Sequence, residues 1–362
     1  MALIDLVKKL SLQIPTPLVA GGARLIFGLP VEIKQRLGTP QTVEGNDLDP
    51  DSRITLLLLK AQGVDGLAAH DVRDIPLSRA SMLKLCQAVG AGAGPTVITR
   101  GLMVDGAAGP IPARLYTPEG LDAGSPLVVF FHGGGFVLGD LDSHDAPCRY
   151  IADRAHVRVL SVDYRLAPEA IFPAAADDAV AATKWAIAHA DRLGADAERV
   201  VVCGDSAGGN LAAVAARELS LEGGAQPAFS LLFYPVTGAD PANRSRDTFA
   251  SGYFLTKHDI EWFRKVYTPE PGQDTDPKFH VLHADSLGGI GRTHVVVAGF
   301  DPLRDEGAAY AERLRAAGVN ATTQLAPGAL HGFINSVGVS ADARVEMDAA
   351  LDVLRDEIAQ KA

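Results

Sequence analysis

The chain has 362 residues, 47% hydrophobic and 21% charged, with 37 glycines, 22 prolines and a formal net charge of -11. That length buries a large core, as one big α/β domain or as two smaller ones. The acidic balance argues against a nucleic-acid or anionic-membrane partner, which calls for a concentrated positive patch.

In chain order, the N-terminal MALIDLVKKLSLQIPTPLVAGGARLIF is apolar, but its lysines follow the first apolar residues and Pro15, Pro17 and Arg24 interrupt it. It makes a poor signal peptide and a poor membrane span, so a cytoplasmic protein without stable membrane insertion is expected. Residues 1–90 carry apolar stretches at helix-like spacing, such as ITLLLLKAQGVDGLAAH, and read as a helical segment ahead of the first strand. From about residue 96 the texture changes. TVITRGLMVDG and GPIPARLYTP predict a hairpin around Asp105-Gly106. Strands are predicted next at PLVVFFHGGGF and RVLSVDYRLAP, then a helix at DDAVAATKWAIAHADRLG. VVVCGDSAGG, its helix, SLLFYPV, HVVVAGFDP, EGAAYAERLRAAG, TTQLAPG and a last helix from about 341 complete the alternation. Buried strands alternating with helices mean an α/β fold with a mostly parallel sheet of about eight strands, covered on both faces. TTQLA, the last strand, is a candidate sheet edge, where pairing would give a homodimer.

Residues 238–282 break the pattern with aromatics (Phe249, Tyr253, Phe254, Trp262, Phe263) on helical stretches. Excursions of this length are often lids, so residues 1–90 and 238–282 are expected to form a helical cap on a core made of 91–237 and 283–362. A merely decorative insertion is the alternative. The cysteines Cys86, Cys148 and Cys203 are scattered, which argues against a disulfide framework or structural zinc, and Cys203 reads as a small buried hydrophobe.

Ser206 stands between Gly204 and Gly208 where a strand becomes a helix almost without a loop. Such a Gly-x-Ser-x-Gly junction makes a strained turn that exposes the hydroxyl, with glycines where side chains would strike the neighbouring strand or helix. A plain glycine-capped helix start is the bland alternative. The hydroxyl needs a base and an orienting acid, in the chain order serine, acid, histidine. Asp301, at the end of HVVVAGFDP, and His331, after the next strand, occupy those positions. His294 opens its strand and so lies at the wrong end of the sheet. His280 and His283 give weak zinc spacing without supporting carboxylates, and Asp305 and Glu306 read as first-turn acids favoured by the helix dipole. HGGGFVLG, with Gly133, Gly134 and Gly135, offers unobstructed N–H groups for an oxyanion, partnered by the N–H of Ala207. No phosphate-loop pattern accompanies it, so nucleotide binding is disfavoured, and His132 reads as shaping the loop.

HGGGF (132–136), DYRLAPE (163–169), FPAAADD (172–178), GDSAGGN (204–210), DPLRDEG (301–307) and HGF (331–333) together resemble the hormone-sensitive-lipase-like, bacterial family IV branch of the α/β-hydrolase carboxylesterases. The resemblance implies an α/β-hydrolase fold with an N-terminal helical cap and Ser206, Asp301 and His331 as nucleophile, acid and base. It also implies an oxyanion hole at Gly134, Gly135 and Ala207. Tyr164, Arg165 and Glu169 match a structural motif beside the site, and Asp205 matches the family's Gly-Asp-Ser subgroup and would brace the turn. The first 45 or so residues and the stretch KFHVLHADSLGGIGRTH depart from the family pattern, which leaves the pocket least defined. Phe136, Tyr253 and Phe254 are its candidate lining. The expected activity is hydrolysis of small soluble esters through an acyl-enzyme, without metal or organic cofactor. Amidase or lactonase chemistry, or a non-catalytic receptor on the same fold, are the alternatives.

Overall fold

The computed structural model describes residues 13–61, 74–238 and 242–359. The first twelve residues and the whole of QGVDGLAAH, part of the N-terminal helical expectation, lie outside them. Before the sheet come helices α1 (Thr16–Phe27), α2 (Val31–Lys34), α3 (Pro50–Ala61) and α4 (Ile75–Gly90), with a small hairpin of β1 (Thr42–Val43) and β2 (Asn46–Asp47). The hairpin escaped the sequence reading. Its turn is made by Glu44 and Gly45, both at positive φ, the geometry that tight hairpin turns require.

The main sheet then begins with the antiparallel pair β3 (Val97–Gly106) and β4 (Gly109–Pro118), joined at the expected turn. β5 (Ser125–Phe131), α5 (Asp145–Ala155), β6 (Arg158–Val162), α6 (Ala174–Ala188), β7 (Ala195–Asp205), α7 (Ala207–Glu222) and β8 (Phe229–Phe233) follow. The 238–282 region supplies α8 (Ser245–Thr248) and α9 (Lys257–Tyr267). β9 (Arg292–Phe300), α10 (Arg304–Ala316), β10 (Ala321–Leu330) and α11 (Ala341–Ala359) close the chain. The eight strands lie in the order β10-β9-β8-β7-β5-β6-β4-β3. The run from β10 to β6 is parallel, and β4 and β3 are antiparallel.

Period-two alternation divides the core. In β5, Leu127, Val129 and Phe131 face α6 and α7, while Val128 and Phe130 join Met347, Leu351 and Leu354 of α11 on the other side. Both faces are covered, so strand residues are apolar almost throughout. β10 is an edge strand, and Leu325 on it is 45% exposed. Its far half is met by the N–H of Asp49, which donates to the Gly328 carbonyl. Among the described residues no helix is long and apolar enough to cross a membrane.

Parallel strands place their carboxyl ends at one edge, where ligands of such sheets bind. Four chain segments leave the sheet there: the glycine loop after β5, Ser206 after β7, Asp301 after β9 and His331 after β10.

Candidate active site

Ser206 sits between β7 and α7 with φ 56° and ψ -116°. This is the left-handed half of conformational space, costly for a side chain. Three backbone bonds hold it. Its N–H donates to the Phe233 carbonyl at 2.9 Å, and its carbonyl accepts from Val236 at 3.1 Å and Asn210 at 3.0 Å. A side chain at Gly204 would approach the Phe131 carbonyl oxygen to 2.6 Å, and one at Gly208 would come within 2.6 Å of the His132 carbonyl oxygen. The two glycines therefore do what their spacing implied: they let the elbow press against the end of β5.

Ser206 Oγ lies 2.9 Å from His331 Nε2, and His331 Nδ1 lies 2.7 Å from Asp301 Oδ2. Asp301 Oδ1 accepts the Leu303 N–H at 2.8 Å, which fixes the carboxylate plane. All three side chains are buried, and the Tyr234 ring packs over the imidazole at 4.6 Å between centroids. The three residues picked from the sequence are thus assembled into one hydrogen-bonded line. His294 lies near the start of β9, at the other end of the strand that leads to Asp301, and pairs with Thr322 at 2.7 Å. His280 packs near His283, and burial and that neighbour push it down to about 4.

The glycine loop runs past Ser206 with Gly134 and Gly135 at positive φ. Both border a cavity of about 520 Å³ that also holds Ser206 and His331. Their N–H groups donate to no protein group among the described residues, and Ala207 is the first residue of α7, where the leading N–H groups have no acceptor within the helix. Gly133 is different. Its N–H donates to Asp205 Oδ1 at 2.8 Å and is not available to an oxyanion, which corrects its inclusion among the donors.

The supporting residues fall into two groups. Close in, Tyr164 stacks on His132 (4.3 Å between centroids) and its hydroxyl donates to the His132 carbonyl at 2.6 Å. Burial and the neighbouring His144 push His132 down to about 4, so it stays neutral and holds the loop through its own contact with the Gly133 carbonyl. Asp205 is buried, which alone would raise its carboxyl, yet His144, the Gly133 N–H and His331 bring it below the usual range. Farther out, Glu169 is 64% exposed and acts at a distance. It accepts from both terminal guanidinium nitrogens of Arg79 at 2.8 Å, and Arg79 donates to the carbonyls of Val137 and Ala167 at 2.8 Å and 3.0 Å. Arg79 and His144 escaped the sequence reading. Glu306, buried on α10, does more than its sequence position implied: it accepts from the N–H groups of Thr237 and Gly238 and from Arg246. The first-turn position of Glu306 suggested only a dipole effect.

Phe136 and Phe254 border the cavity. Tyr253 does not. It packs edge-on against Phe249 (5.2 Å) and beside Phe300, in a small cluster under the cavity wall. Val19, Phe27, Leu59 and Met82 from the N-terminal helices and Leu255, Ile260 and Phe263 of the 238–282 region also line the cavity.

A family model described as the alpha/beta hydrolase fold matches residues 128–335. The carboxylic ester hydrolase LipN of Mycobacterium tuberculosis is 45% identical over 322 residues, 87% of this chain and 85% of that protein. The ethyl acetate hydrolase of Pseudomonas putida is 38% identical, covering 68% of this chain and 79% of its own length. Among solved structures, an ester hydrolase from the metagenome of Lake Arreo matches with a TM-score of 0.79 at 38% identity, over 85% of this chain and 98% of that one. A hyperthermophilic esterase from Pyrobaculum calidifontis matches with a TM-score of 0.79 at 36% identity, over the same shares of the two chains.

Proposed function

The chain belongs to the hormone-sensitive-lipase-like branch of the α/β-hydrolases and is a carboxylic ester hydrolase, and from that premise we propose that it is a serine esterase working through an acyl-enzyme on small soluble esters. The observation that carries the reading is the unbroken line from Ser206 Oγ through His331 to Asp301, at 2.9 Å and 2.7 Å, on a backbone elbow.

His331 Nε2 takes the hydroxyl proton as Oγ bonds to the ester carbonyl carbon, and Asp301 keeps the ring in the tautomer that makes Nε2 an acceptor. The former carbonyl oxygen gathers negative charge and is met by the N–H groups of Gly134, Gly135 and Ala207. His331 returns the proton to the departing alcohol. Water then repeats the sequence on the Ser206 ester and releases the acid. The N-terminal helices and the 238–282 region act as a cap that shapes the space for the acyl and alcohol groups. Phe136, Phe254 and Phe263 are among the residues lining the cavity of about 520 Å³.

The test is turnover of p-nitrophenyl acetate and butyrate by wild type and Ser206→Ala. The wild type hydrolyses both and the variant, which keeps its fold, hydrolyses neither. Wild-type-like turnover by Ser206→Ala would rule the mechanism out.

A further inference from the structure

Behind the nucleophile lies another serine, histidine and aspartate: Ser143, His144 and Asp205. They are 2%, 0% and 2% exposed. Ser143 and His144 do not border the cavity, so this is no second reaction centre. His144 Nε2 lies 3.4 Å from Asp205 Oδ1 with no nearer partner among the described residues, and its Nδ1 lies 3.0 Å from Ser143 Oγ.

The position of the ring hydrogen follows from its neighbours. Asp205 carries its charge although buried, because His144, the Gly133 N–H and His331 offset the burial. A ring nitrogen facing a carboxylate must present a hydrogen, since two acceptors would repel, so Nε2 is protonated. Nδ1 then accepts from the Ser143 hydroxyl, whose oxygen in turn accepts the Asp140 N–H at 2.8 Å. If Ser143 instead donates to the Asp140 carbonyl (2.9 Å), its oxygen is left to accept from Nδ1. In both arrangements Nε2 faces Asp205 Oδ1 across 3.4 Å, a charge contact that falls short of hydrogen-bond geometry.

Asp205 Oδ1 also receives the Gly133 N–H, at 2.8 Å. One carboxylate oxygen therefore joins the residue before Ser206 to the start of the glycine loop. The fit is close, because a side chain at Gly133 would come within 3.0 Å of the Asp205 carbonyl oxygen. We propose that His144 is a positioning residue for the oxyanion loop: its Nε2–H fixes the Asp205 carboxylate, which holds Gly133 so that the next two amides stay aimed over Ser206. The proposal rests on the serine-esterase reading above and extends it to a residue that touches neither substrate nor reacting atoms.

The test compares wild type, His144→Ala and His144→Gln, the last restoring a donor near the Nε2 position. It reads kcat and KM for p-nitrophenyl butyrate and inhibition by butylboronic acid, whose adduct with Ser206 puts an oxygen where the oxyanion forms. His144→Ala is expected to lower kcat by at least about tenfold, part of the 10²–10³ that loss of a whole donor costs. The boronic acid weakens by the same factor, KM stays within about twofold, and His144→Gln recovers part of both losses. A folded His144→Ala variant with wild-type kcat, or with reduced kcat but unchanged boronic-acid inhibition, overturns the proposal. Nitrogen-15 spectra of the histidines in the unaltered protein decide it even if His144→Ala does not fold: a hydrogen on Nε2 of His144 supports it, and a bare Nε2 overturns it. Activity surviving in Ser206→Ala would sink the esterase mechanism separately, since the ring's tautomer does not depend on it.

Discussion

Gly208→Ala tests the idea that the elbow works by pressing against the end of β5. The added methyl would lie 2.6 Å from the His132 carbonyl oxygen, and closer still to that of Phe131. An ordinary carbon–oxygen contact is about 3.3 Å, so one of the two backbones must retreat by at least ~0.7 Å. Neither moves freely. β5 and β7 are locked in register with Phe131 opposite Gly204, and Phe131 leads directly into the glycine loop. Overpacking of this kind typically costs about 1–3 kcal/mol, and at roughly 2 °C per kcal/mol for a chain this long the midpoint should fall by some 2–6 °C. The displacement also separates the hydroxyl from the amides proposed to receive the oxyanion, and a shift near 1 Å can cost about 10²-fold in rate. The assay pairs thermal unfolding with p-nitrophenyl butyrate turnover and takes Gly224→Ala as reference. At Gly224 an added methyl meets nothing within 4 Å, so stability should stay within about 0.5 kcal/mol of wild type. If Gly208→Ala matched Gly224→Ala in both midpoint and kcat, the close-approach argument would be wrong.

Two further outcomes are expected. Asp301→Asn keeps the acceptor for the Leu303 N–H but turns an amide toward His331 Nδ1, forcing the hydrogen onto Nε2 where Ser206 needs an acceptor; kcat should fall by about 10⁴ with the fold intact, as measured by turnover and circular dichroism. Asp49 is pushed up to about 7 by burial and by Asp342, Glu346 and Asp51, against the pull of Arg53. Because its folded value lies above its unfolded one, the native state holds a proton that the unfolded chain releases, so stability falls as pH rises from about 4 to about 7. Asp49→Asn removes that slope: its melting midpoint should exceed wild type at pH 8 and approach it near pH 4.5, and an equal difference at both pH values would contradict the assignment.

What the sequence disclosed and what it hid differ in range along the chain. Strand and helix alternation, the elbow and the segments after β9 and β10 are local patterns. Because parallel strands share one carboxyl edge, local positions were enough to bring Ser206, Asp301 and His331 together. The contacts that tune them are not local. Gly133 and Asp205 are 72 residues apart, and Arg79 and Glu169 are 90 apart. Nothing in HGGGF announces that its first glycine is already engaged. Tyr253 was misplaced because an aromatic in a helical excursion says nothing about which face it turns inward, and Phe249 and Phe300 claim it. Glu306 was underrated for a related reason: a first-turn acid usually faces water, whereas α10 turns this one into the protein against Thr237, Gly238 and Arg246.

The same geometry explains why the strained serine stays put. A residue at φ 56° and ψ -116° relaxes unless its surroundings over-determine it. Here the N–H of Ser206 is anchored to β8 through Phe233, while its carbonyl is anchored both to α7 through Asn210 and to the segment after β8 through Val236. Two sheet-derived anchors and one helical anchor cannot be released together without unpairing β7 from β8. Each flanking charge is tied to a backbone amide as well: Asp301 to Leu303, Asp205 to Gly133. The hydroxyl, the imidazole and the loop amides are therefore fixed by the sheet before substrate arrives, and on the proposed mechanism the reaction need not reorganise them, which is where electrostatic catalysis gains most of its advantage over water.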